Sequence, residues 1–451
     1  MKRDPRRRIL WTFGILAILC PCTLCGVGYL VVQDWFGGPA QALPHEIEMA
    51  RKEGIPLDPD DLRPKPPVPD DQNAATLYRV HFPAVKRVAD KHNKLTTECS
   101  DLAKGKAKKE EIADIEAALL DAREALTEVV AASKRPYCDF HYQFEKGAEL
   151  AMPEYAQART AVKMLAAKAH LLADRGQVSE AYGLLIAAQA VGRHAGMGPL
   201  LIAALVQIAI EGIVMEEFSH LLQLSSRDAA LLAKAHQALD GFGGLVDLRY
   251  AFRGEVVLGL VSIRKIHNTG DIRSLGDLSG GQFPEGDKGG GFPLPESIVK
   301  GYESKFVSTW RSIFEQLPTD SKDWVGAYNV MQGVDRKVAA DKSPANMINA
   351  ILFPVFSQAA LAIGHQDANR RIAATSIRLM QEHLRTGSYP VALPDYGAIS
   401  VDPFDGKPLR YRREGTGFTI YSIDRDFEDN GGVPRKGTKH GDLVRTFRGV
   451  K

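Results

Sequence analysis

The chain has 451 residues, 45% apolar and 25% charged, a globular composition that excludes a largely disordered or collagen-like chain. Its 57 Lys and Arg against 55 Asp and Glu give a net charge of +2, which excludes a nucleic-acid binder driven by bulk charge. Five cysteines cannot build a disulfide framework in a chain this long.

Residues 1–8 form a basic flank containing Lys2, Arg3, Arg6, Arg7 and Arg8, and residues 9–32 then carry no charge at all. Those ~24 residues would reach ~36 Å as a helix, enough to cross a bilayer core of about 30 Å. The run is longer than the apolar region of a cleaved signal peptide, and Gln33-Asp34-Trp35-Phe36 offers no small-residue cleavage site. The segment therefore reads as an uncleaved, single-pass signal anchor. The basic flank places the N-terminus in the cytoplasm and the bulk of the chain outside it, in the cell envelope. Cys20-Pro21-Cys22 and Cys25 lie in this lone span, with no partner helices to complete a metal path.

Residues 33–73 are dense in proline, including Pro39, Pro44, Pro56, Pro64, Pro66, Pro67 and Pro69. That composition predicts a stiff, non-helical linker that spaces the body from the bilayer or lies along its surface. Residues 74–386 form the extracytoplasmic body, which reads as a helical bundle or repeat-like helical array. An apolar face runs from Ala74 to about Leu102, and Ile112, Ile115, Leu119, Ala122, Leu126 and Val129 mark one stripe of a second helix. These two predict an antiparallel hairpin. A second hairpin is expected across 161–181, turning at Gly176. Leu200–Met215 carries Gln207 and Glu211 and is too short for a membrane span, so it reads as a buried core helix. A helix over 243–266, a glycine-rich surface loop over 269–297 and further helices ending at Gly387 complete the body.

Residues 387–451 change character. Ser388-Tyr389-Pro390 breaks the helix, and Asp402-Pro403-Phe404-Asp405-Gly406 is turn chemistry. Leu409–Arg412 and Phe418–Ser422 alternate around Gly415 and Gly417, which is a β-hairpin signal. An acidic glycine-rich loop then precedes Asp442-Leu443-Val444. The chain therefore reads as mostly α: a transmembrane helix, a helical body and a small C-terminal antiparallel β module.

The matching pieces Gly387-Ser388-Tyr389-Pro390, Asp402-Pro403-Phe404-Asp405-Gly406-Lys407-Pro408, Tyr421-Ser422-Ile423-Asp424-Arg425-Asp426 and Gly441-Asp442-Leu443 resemble the C-terminal region of the type II secretion major pseudopilins. The likeness covers about residues 370–451. It implies a calcium-binding final loop, with Asp426 and Asp442 the best-matched positions. It does not extend to the N-terminal span, which lacks the assembly glutamate of that family. The whole-chain arrangement resembles a family of uncharacterised bacterial membrane-anchored proteins.

Calcium takes six to eight oxygen ligands, often carboxylates on a loop with glycine turns. Asp424, Asp426, Glu428, Asp429 and Asp442 are the candidate ligands, with Ser422 and Asn430 beside them. Cys138-Asp139-Phe140-His141 has metal-capable spacing but no second pair, so it reads as core. Asp139, Glu145, Glu149 and Glu154 near Tyr137 and Tyr142 leave a carboxylate-pair hydrolase as the alternative, although no Gly-x-Ser-x-Gly elbow exists. The leading expectation is a membrane-anchored interaction or scaffold protein with an envelope protein partner, linked to envelope or secretion assembly.

Overall fold

The computed structural model describes residues 33–269, 293–353, 356–435, 437 and 440–448. The expected anchor at 9–32 and most of the glycine-rich loop lie outside the described residues. Helices dominate, and a three-stranded antiparallel sheet stands near the C-terminus.

The N-terminal described segment corrects the linker expectation. A π-helical turn, Gln33–Gly37, runs into α1, Gly38–Lys52, with Pro44 inside the helix. An interior proline removes one backbone hydrogen bond, and tertiary packing offsets that loss. Here α1 lies along α11, Glu296–Gln316. Phe36 meets Tyr302 edge-on at 5.3 Å, and Arg311 pairs with Glu46 at 2.6 Å and with Glu53 at 2.5 Å. Residues 53–73 are irregular, but Ile55, Leu57 and Leu62 are buried, so this stretch straps the body instead of spacing it away.

The first hairpin forms with both arms broken: α2 (Ala75–Lys91) and α3 (Leu95–Ala103), then α4 (Lys109–Asp121) and α5 (Arg123–Ala132). The expected stripe still faces inward, since Ile115, Leu126 and Val129 are buried, but Ala122 leaves helical geometry and kinks it. The second hairpin, α6 (Pro153–Asp174) and α7 (Val178–Ala195), turns at Gly176, whose φ of +83° suits glycine. Helix α8, Leu201–Ser225, packs against both and forms the centre of the body. It is the buried helix expected from Leu200–Met215.

Helices α9 (Ala229–Asp240), α10 (Leu248–Thr269), α12 (Trp324–Ala340), α13 (Met347–Leu352) and α14 (Phe356–Thr386) close the body. An aromatic cluster of Phe252, Phe306, Trp310, Phe353 and Phe356 ties α10, α11 and α14 together. Among the described residues, one helical run, Pro344–Thr386, is long and apolar enough to cross a membrane. Of its most apolar window 67% is buried inside the protein, as in a core helix.

Strands β1 (Arg410–Glu414), β2 (Gly417–Ser422) and β3 (Leu443–Phe447) pair in that order, with Arg410 opposite Tyr421 and Ser422 opposite Leu443. The sheet packs against α14 through β2 and β3. Its buried side chains, Phe418, Ile420, Leu443 and Phe447, join the same core as the helices.

Candidate functional site

A cleft of about 980 Å³ opens where residues 62–69 face the segment 136–144. Its geometry begins at Asn73, which is buried between the two. The Asn73 Nδ2 donates to the Asp139 carbonyl at 2.9 Å, and its Oδ1 accepts from the Asp139 N–H at 2.9 Å and the Ala75 N–H at 3.1 Å. Arg135 closes the other side, its Nη1 donating to the carbonyls of Asp70 and Asn73 at 2.9 and 2.8 Å. A side-chain amide that mimics a backbone pair fixes a loop without a strand. Beneath it, Tyr78 O–H donates to His194 Nδ1 at 2.9 Å, and His194 Nε2–H donates to the Arg135 carbonyl at 2.9 Å. Burial pushes the His194 imidazole down to about 4, so this chain runs through the neutral ring.

The walls are largely prolines and aromatic rings: Pro66 and Pro67 on the strap, Tyr137, Phe140 and Tyr142 opposite, and Tyr250 from α10. Rings bearing a polar tip suit a wet, half-apolar groove. Several polar groups in and around it are partnered within the chain, while the buried hydroxyl of Tyr155 in its lining has no hydrogen-bond partner. His141 stands at the left-handed φ of +48°; its N–H donates to Asp139 Oδ1 at 2.7 Å and its Nδ1 lies 2.9 Å from Asp139 Oδ2. Glu145 pairs with Arg63, and Glu154 accepts from Tyr142 O–H at 3.2 Å. Cys138 is a free, buried thiol, and burial raises it above the usual thiol range. Cys99 is likewise free and buried. Gly147 seats the far end of this segment, since a Cβ there would meet Ser262 Oγ at 2.6 Å.

Among the lining residues, Asp139, Tyr137 and Tyr142 were legible in the sequence, but the proline wall and Tyr250 were not. The prolines read as a spacer, and Tyr250 comes from a helix more than a hundred residues away.

The C-terminal acidic loop divides the five residues expected as calcium ligands. Asp442 accepts from the Asn430 N–H at 3.1 Å and the Gly432 N–H at 2.7 Å. Asp426 accepts from the Gly441 N–H at 2.9 Å and the Asn430 side chain at 3.3 Å. These two best-matched positions thus converge on one turn. Burial raises the Asp442 carboxyl above its ordinary range, and the neighbouring Asp429 and Asp426 add to the rise. Asp424 turns inward to His365 Nδ1 at 2.8 Å, with Arg435 at 3.7 Å. Asp429 pairs with Arg410 at 3.2 Å, and Glu428 stays exposed beside His440 at 3.6 Å. Ser422 donates to Asp402 Oδ1 at 2.8 Å. Asp402 is the organiser that the sequence reading took only as a turn residue. Its buried carboxylate also accepts from the Ile423 N–H and from Arg410, joining the turn, β1 and β2.

No family model, curated protein or solved structure matches the chain.

Proposed function

We propose that the chain is a membrane-anchored, extracytoplasmic binding protein that holds an extended segment of an envelope partner in the cleft between residues 62–69 and 136–144. The anchor is the uncharged run 9–32, and the basic flank 1–8 sets the orientation. The observation that carries the reading is the make-up of the cleft: proline and aromatic walls around a few fixed polar groups, among them the Asp139–His141 couple. A binding groove needs apolar area and a few fixed polar groups, whereas hydrolysis needs an activated water or nucleophile. The likeness of the C-terminal module to the major pseudopilins supports a place in envelope or secretion assembly. The convergence of Asp426 and Asp442 supports a calcium-stabilised tail.

The Asp139–His141 couple favours the alternative, an envelope hydrolase with His141 as general base. Photocrosslinking separates the two. A benzophenone amino acid at Tyr137 or Tyr250 of the membrane-embedded full chain should give an adduct of one discrete mass, and one at the exposed Val391 should not. Turnover of an envelope polymer that is lost in Asp139→Asn, without any such adduct, would replace binding by hydrolysis.

A further inference from the structure

Four titratable side chains meet between α6 and α8, away from both the cleft and the tail. The spacing His170-x-x-x-Asp174 stacks two of them on one face of α6, and Glu217-x-x-His220 does the same on α8. His170 Nε2 lies 3.6 Å from Asp174 Oδ2, and His220 Nε2 lies 3.2 Å from Asp174 Oδ1. The two imidazole rings lie face to face at 4.0 Å, 11° from parallel, so the more exposed ring, His220, must turn out of the stack to aim its in-plane lone pair at an ion shared with His170. On the other side of His170, Nδ1 lies 2.9 Å from Oε2 of the fully buried Glu217, whose Oε1 has no hydrogen-bond partner.

We propose that His170, His220 and Asp174 bind one divalent transition metal ion of the zinc class, with Glu217 as the positioning residue behind His170.

Three observations carry this. The first is distance. One ligand atom from each of the three residues falls within 4.8 Å of the other two. A tetrahedral site with bonds of about 2.0 Å has ligand edges of roughly 3.3 Å; the His170 and His220 nitrogens lie 3.6 and 3.2 Å from opposite oxygens of Asp174, so a turn of the carboxylate on binding would bring one oxygen to both. The second is orientation. A histidine ligand commonly donates its other ring N–H to a carboxylate, which fixes the tautomer and turns the free nitrogen to the ion. Glu217 occupies that position on His170. The third is charge. Asp174 and Glu217 are two carboxylates whose ion pairs run to these histidines, so one dication would neutralise the group.

The donor set selects the metal. Two imidazoles and one carboxylate suit zinc and its neighbours in the transition series, whereas calcium and magnesium prefer oxygen throughout. The side chain of Asp174 is 52% exposed and that of His220 26%, so the ion has a way in from solvent and a free position for water. Because the ligands come from two helices, the ion would also pin α6 to α8.

The test uses the full chain in detergent, stripped with chelator and titrated with Zn²⁺, Ca²⁺ or Co²⁺. The expected result is one equivalent of Zn²⁺ bound, an upward thermal shift with Zn²⁺ but not Ca²⁺, and visible Co²⁺ bands of a nitrogen–oxygen site. His220→Ala and Asp174→Asn change partly exposed positions and should fold, as circular dichroism would check, yet lose the equivalent and the bands. Glu217→Gln should keep the stoichiometry with affinity about 10–100-fold weaker. His236→Ala, on α9 and outside both sites, should leave Zn²⁺ binding unaltered. Absence of stoichiometric Zn²⁺ binding would overturn the proposal, as would binding unaltered by both ligand variants. Co²⁺ bands of thiolate type alone would overturn it too, since they would place the ion on the cysteines of the N-terminal span. Should either ligand variant fail to fold, the wild-type Co²⁺ spectrum still decides between nitrogen–oxygen and thiolate ligation.

Discussion

The carboxylates of the C-terminal loop and those inside the helical body solve the same problem in opposite ways. In the tail, Asp426, Asp429 and Asp442 accept hydrogen bonds from amides 2 to 15 residues away within the same module, at Gly431, Gly432, Asn430 and Gly441. In the body, Glu211 on α8 is buried and answered from afar. Arg370 on α14 donates to both of its oxygens at 2.5 and 2.7 Å, and Gln189 and Gln366 add bonds of 2.8 and 2.6 Å. Local satisfaction makes a turn that depends little on the rest of the fold. Distant satisfaction makes the fold a condition for the charge to be tolerated at all.

That difference orders the expected effects of mutation. Glu211→Leu should be the most damaging, because it leaves the Arg370 guanidinium largely buried without its partner. Breaking one side of a buried pair costs ~3–5 kcal/mol, readable as a lower denaturation midpoint at unchanged slope. A loss below about 1 kcal/mol would show that water reaches this pair and would erase the contrast with the tail.

His194 should come next, and its effect depends on pH. Burial holds the folded imidazole down to about 4, below an unfolded value of about 6.5. Between those values the unfolded chain takes up a proton that the folded chain refuses, so this contribution is present above pH ~6.5 and is lost as pH falls towards ~4. At full extent it amounts to ~3 kcal/mol. The stability difference between wild type and His194→Gln should therefore shift in favour of the variant as pH drops from 7 to 4. A difference that stays flat with pH would mean that the ring titrates normally.

Asn73→Ala removes the amide that stitches the strap to the segment 136–140. It should cost ~1–3 kcal/mol, the penalty for leaving buried backbone groups unpaired, and raise protease sensitivity within 62–69 first. Asp442→Ala should cost less, ~1–2 kcal/mol, because solvent can reach the freed amides. It should also abolish the rise in thermal midpoint expected with calcium. A large global loss from Asp442→Ala, equal to that of Glu211→Leu, would break the comparison.

The same contrast explains what the sequence disclosed. The turns and hairpin of the tail, and the meeting of the 422–432 loop with Asp442, were legible because they follow from nearby stretches of chain, whereas the organising role of Asp402 and the pairing of Asp424 with His365 were not. The burial of Leu200–Met215 was legible from its composition, but the partner of Glu211 was not, since Arg370 stands 159 positions away. His170 and His220 escaped notice for the same reason: each sits in an ordinary helical stripe until α6 and α8 pack. Proline density misled at 33–52, where contact with α11 outweighs the one hydrogen bond that Pro44 removes. It misled again at 62–69, where stiffness builds a wall instead of a spacer. The kink at Ala122 left no mark, because the apolar stripe runs through it unbroken.

Everything proposed for the cleft and the tail requires that they face the cell envelope. A reporter active only outside the cytoplasm, fused after Lys451 of the full chain, measures this directly. The account predicts an active reporter, and reduced activity when Lys2, Arg3, Arg6, Arg7 and Arg8 are neutralised together. An inactive reporter, with a cytoplasm-specific one active at the same position, would contradict it.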